Sequence, residues 1–134
     1  MLLTRVKSIF EQKIKTVHGQ KAPENDVLAQ LCHEGMLFVA GKSVPSELLR
    51  CAENTSGESV YRLLENGNYI VEPEYPDFSS TVKHMMIDEE LSYAVINKMA
   101  ALYSTNMNDV ARFENEALRL INTFKANARR VVMS

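Results

Sequence analysis

Four stretches of this chain, residues 2–17, 24–40, 87–104 and 109–130, place apolar residues three and four positions apart. That spacing gathers them on one face of a helix, so the chain is constrained to bury helical stripes against one another. Leu3, Val6, Phe10, Ile14 and Val17 form the first stripe, with Lys7, Glu11, Lys13 and Lys15 on the other faces. Val27, Leu28, Leu31, Phe38 and Val39 form the second. Pro23 or Asn25 marks its start, and Gly41 is expected to end it. Gly35 lies on that stripe, where a glycine costs about 1 kcal/mol against alanine; the reading is that another helix approaches closely there. The third stripe is Ile87, Leu91, Ala94, Val95 and Leu102, with Met99 beside it. Asp88, Glu89 and Glu90 fall in its first turn, where negative charge complements the helix dipole. The fourth is Val110, Phe113, Ala117, Leu120, Ile121 and Phe124, with Arg112 and Glu116 as an i,i+4 pair and Lys125, Arg129 and Arg130 towards the C-terminal end.

Between the second and third stripes the pattern changes. Pro45 is expected to open a short helix through "SELLRCAE", residues 46–53. "VYRLL" and "YIVE" then flank "ENGN", and Asn66-Gly67 is the favoured pair for a two-residue type I′ hairpin turn. That turn sets Leu64 opposite Tyr69, Leu63 opposite Ile70, Arg62 opposite Val71 and Tyr61 opposite Glu72. Leu64, Tyr69 and Val71 then share one face, and Tyr61, Leu63 and Ile70 the other. "PEYPDFSS" follows as extended chain. The expected fold is mainly α: a bundle of four main helices plus a short helix, with a β-hairpin inserted near residues 60–72, all in one domain over residues 1–134.

Composition sets the function classes. At 46% apolar the chain can build a true core, and a formal charge of −2 argues against a general nucleic-acid binder, which needs a basic excess. No stretch of 18 apolar residues exists, so no membrane span is expected. Cys32 and Cys51 imply no disulfide framework and are expected reduced, in a cytoplasmic setting, with Cys32 buried. His18, His33 and His84 have no metal-ligand spacing, and adjacent Cys32 and His33 point about 100° apart on a helix, so no metal or cofactor is expected. The 88–90 carboxylates read as helix-start charge rather than an acid/base pair. No nucleophile elbow, phosphate loop or dinucleotide fingerprint is present, and no enzymatic activity is expected. The basic terminus "KANARRVVMS" is the best candidate for contact with DNA, at most a non-specific one.

The remaining signal lies at the hairpin. Tyr61, Tyr69 and Tyr75 gather in or beside it, and tyrosine suits interfaces because it buries area while keeping a polar tip. Tyr61, Leu63, Ile70 and Tyr75 are therefore the candidate oligomer interface.

The order of elements resembles phage head-to-tail connector proteins, also called head completion or adaptor proteins. "MIDEELSYAVINKMAALYS" is similar to the family's acidic-start helix, and "RFENEALRLINTFKAN" to its terminal helix. "ENDVLAQLCHEGMLFVAGKSVPSELL" is similar to its early helices, and "YRLLENGNYIVEPEYP" to the strand pair between the helical halves. The resemblance rests on apolar and acidic patterning over most of residues 24–128; the first helix and the 45–53 segment do not match it. It implies a structural virion protein, made in the host cytoplasm, that forms a homo-oligomeric ring between the portal protein and tail or neck proteins, without catalytic residues. The alternative class is a small cytoplasmic helical regulator or nucleic-acid-binding protein.

Overall fold

The computed structural model describes residues 1–15, 21–51 and 57–133, with side chains to residue 128. Val17, His18, the end of the 45–53 segment and the side chains of Arg129 and Arg130 lie outside the described residues. The order is α1 (Leu3–Lys15), α2 (Asn25–Lys42), a 3-10 turn (Ser46–Leu48), β1 (Leu49–Arg50), β2 (Val60–Leu63), β3 (Tyr69–Val71), a second 3-10 turn (Glu89–Leu91), α3 (Ser92–Tyr103) and α4 (Met107–Met133). Helix accounts for 60% of the residues, and the mainly helical fold with a hairpin is as expected. Among the described residues no helix is long and apolar enough to cross a membrane.

Helix α3 is the axis of the bundle. It packs against α1, α2 and α4, and Ala94, Val95, Ile96, Met99, Ala100 and Ala101 are all buried along it. Alanines on several sides let three helices approach at once, so burial runs well beyond one stripe. Leu102, assigned to the stripe, is instead 41% exposed at the far end. The stripe of α1 is buried through Leu3, Val6, Phe10 and Ile14, and Phe10 meets Tyr103 edge-on at 5.8 Å between ring centres. The Tyr103 hydroxyl donates to the Lys21 carbonyl at 2.6 Å and ties the end of α3 to the segment before α2. On α4, Phe113, Ala117 and Ile121 are buried; Lys98 of α3 pairs with Glu114 at 2.9 Å and lies 4.2 Å from the Phe38 ring centre. Arg112 and Glu116 do not pair with each other. Arg112 reaches back to Asp109 at 3.5 Å and Glu116 forward to Arg119 at 2.5 Å, both i,i+3 partners.

Gly35 is buried as expected. A Cβ there would stand 3.1 Å from both Val95 Cγ1 and the Val95 carbonyl oxygen of α3. Val27, by contrast, is 41% exposed and off the buried stripe of α2. Gly41 does not end the helix, which runs on to Lys42. Ser43 closes it, with its hydroxyl donating to the Val39 carbonyl at 2.7 Å.

The segment after Pro45 is not the expected short helix. One 3-10 turn is followed by β1, which pairs antiparallel with β3, so the sheet has three strands in the order β1-β3-β2. The hairpin turns at Asn66-Gly67, but through three residues rather than two. The Leu64 N–H donates to Asn68 at 2.9 Å, the Gly67 N–H donates to Leu64 at 3.2 Å, and Gly67 has φ of 86°. A third loop residue slips the register by one. Leu63 faces Tyr69, Arg62 faces Ile70 and Val60 faces Val71, with an irregularity between Val60 and Arg62.

The 88–90 carboxylates do not sit in the first turn of α3, which begins at Ser92. Asp88 reaches across the chain and accepts the backbone N–H groups of Ser46 and Glu47, each at 2.8 Å. Glu89 pairs with the Met1 amine at 2.5 Å, and that hydrogen bond holds its carboxyl below the usual range. Cys32 is buried beside Met85, its thiol 3.5 Å from that sulfur, and burial pushes it up to about 12; Cys51 is exposed, and both are free.

Candidate functional site

Strand β2 is an edge, with β3 on one side and no strand of the described chain on the other. Its residues behave differently from one another, and the register irregularity explains how. In a regular strand consecutive side chains point to opposite faces. Here Tyr61 reaches α2 and Arg62 the residue that caps it: the Tyr61 hydroxyl donates to the Leu37 carbonyl at 3.0 Å, and Arg62 Nη2 donates to the Ser43 carbonyl at 2.5 Å. A bulge re-aims one side chain in this way. Gly41 leaves room for the tyrosine, whose hydroxyl would stand 3.4 Å from a Cβ at that position.

The four candidate interface residues therefore separate. Ile70 is wholly buried with Ala40, Leu48 and Val71, in a small core between the sheet and the end of α2. It cannot meet a neighbour, and its assignment to an open face is corrected. The slipped register and the Leu48 turn before β1 together place it inside. Tyr61 is 39% exposed but anchored to its own helix. Leu63 is 74% exposed, and Val60, which was not among the candidates, is 53% exposed. Tyr75 stands apart from β2, on the extended chain, with its ring 5.1 Å from that of His33. Val60 was missed because a regular hairpin leaves it outside the paired positions; only the bulge marks it.

Among the described residues no three His, Cys, Asp or Glu side chains come together as metal ligands. His33 Nε2 lies 3.9 Å from Glu72 and forms no tighter cluster. Asp88 and Glu89 have separate structural partners, so they do not form a facing carboxylate pair.

Compared with known proteins, the chain matches no family model, no curated protein and no solved structure.

Proposed function

We propose that this chain is a structural subunit that assembles through its hairpin, in the manner of the phage head-to-tail connectors it resembles. One observation carries the reading: on the four-residue edge strand β2, Val60 and Leu63 stand uncovered while the strand's one charge, Arg62, is turned inward onto Ser43. Edge strands ordinarily carry outward charges that discourage association. Two large apolar side chains on an edge without such a charge suit burial against another protein. The short length of β2 and its bulge blunt backbone pairing, so the contact runs through side chains rather than strand addition. In a ring, each subunit offers this edge to a different surface of the next, a head-to-tail contact that closes when its rotation is right. The portal and the tail or neck proteins are the partners on either side of that ring.

The test is the composition of particles made by the genome that encodes the chain. Peptide mass spectrometry of purified particles is expected to find the chain in stoichiometric proportion to the portal. Its absence from complete particles contradicts the connector reading.

A further inference from the structure

Three cations from separate parts of the chain line one groove. Lys42 ends α2, Arg62 lies on β2 and Lys125 lies on the last turns of α4, and all three line a cavity of about 670 Å³ together with Leu118, Ile121 and Phe124. Among the described residues no carboxylate lines it, although acids outnumber bases in the chain by 17 to 15. An ordinary solvated surface intersperses the two signs. The C-terminal dipole of α2 accounts for Lys42 and Arg62. It does not account for Lys125, which belongs to another helix and faces the same space. Arg62 is fixed in place: Nη2 donates to Ser43, and Nε is buried without an acceptor. Lys42 lies 5.2 Å from the Phe38 ring centre, and Lys42 and Lys125 are both exposed. The volume falls in the range of ligand sites, about 300–1,000 Å³.

We propose that this groove binds a phosphate group through Lys42, Arg62 and Lys125. Three cations lining one groove suit a multiply charged anion, and phosphate offers both the charge and several acceptor oxygens. The apolar wall of Leu118, Ile121 and Phe124 gives room for whatever carries it. The carrier is either a free phosphorylated ligand or the backbone of a nucleic acid. This inference does not rest on the assembly reading.

The test titrates the full chain with pyrophosphate by calorimetry and with a labelled DNA duplex by fluorescence anisotropy. Lys42→Ala/Lys125→Ala removes two exposed groove cations and leaves the Arg62 contact to Ser43 intact. Lys21→Ala/Lys83→Ala removes the same charge from other exposed positions, and circular dichroism confirms that both variants fold. The expected result is phosphate binding weakened about tenfold or more by the groove pair, and less than about twofold by the control pair. Pyrophosphate binding without DNA binding assigns a free phosphorylated ligand. DNA binding lost in the groove pair, with or without pyrophosphate binding, assigns a nucleic-acid backbone. If neither probe binds, or if the two variants behave alike, the proposal is overturned.

Discussion

Gly35 of α2 lies so close to Val95 of α3 that a Cβ would stand 3.1 Å from the Val95 carbonyl oxygen. A helix backbone cannot yield as a side-chain tip can, so the contact fixes the spacing of the two central helices. Gly35→Leu is expected to destabilise the fold: overpacking against a backbone carbonyl costs up to about 3 kcal/mol, and the roughly 1 kcal/mol gained in helix propensity leaves a net loss of up to about 2 kcal/mol. Urea denaturation measures it. Unchanged or greater stability would show that the helices are not held at this distance.

Asp88 joins two parts of the chain more than forty residues apart by accepting N–H groups from Ser46 and Glu47. Asp88→Ala leaves both donors without this partner and is expected to cost about 1–2 kcal/mol, the scale of a lost helix cap. Glu90→Ala, at an exposed neighbour, is expected to lie within about 0.5 kcal/mol of the parent. Equal losses from the two would reduce the role of Asp88 to local charge.

Cys32 gives the fold a pH dependence of known sign. Burial raises its thiol from 9.0 to about 12, so the folded chain keeps a proton that the unfolded chain gives up. The unfolded state then binds fewer protons, and stability falls as pH rises between those values, by up to about 1.4 kcal/mol per pH unit. The difference in stability between the parent and Cys32→Ala is expected to shrink over that window. A difference that stays constant with pH would mean that the thiol ionises in the folded state. Alkylation gives a simpler check: Cys51 is expected to react in the folded chain and Cys32 only after unfolding.

Gly67, at φ of 86°, sits in the left-handed region that the three-residue hairpin loop requires. Gly67→Ala is expected to destabilise by about 1 kcal/mol. Thermal melting monitors it, and a neutral result would contradict the loop geometry.

The parts of this fold that were legible in the sequence are those set by neighbours along the chain. The four helical stripes, the burial of Gly35 and the location of the turn at Asn66-Gly67 follow from local spacing and backbone preference. What escaped depends on distant partners. "SELLRC" reads equally well as a helix start, and only pairing with Tyr69 and Ile70 makes Leu49 and Arg50 a strand. Asn66-Gly67 suits loops of two or three residues, and that single residue decides which side chains face each other. The Asp88 cap joins segments that no local pattern connects. At the candidate site, the apolar and tyrosine content of the hairpin region could be read from the chain, but which side chains stay exposed, Leu63 and Tyr75 among them, and the burial of Ile70 under Leu48 and Ala40 needed the packed structure.

The most direct test of the assembly proposal is incorporation of Val60→Asp/Leu63→Asp into particles. Both side chains are exposed on β2, so the variant is expected to keep the parent's circular dichroism spectrum and melting temperature within about 0.5 kcal/mol of stability. Quantitative mass spectrometry of particles made with this variant in place of the parent is expected to find it missing or strongly depleted. A folded variant incorporated at the parental level would contradict assembly through the edge of β2.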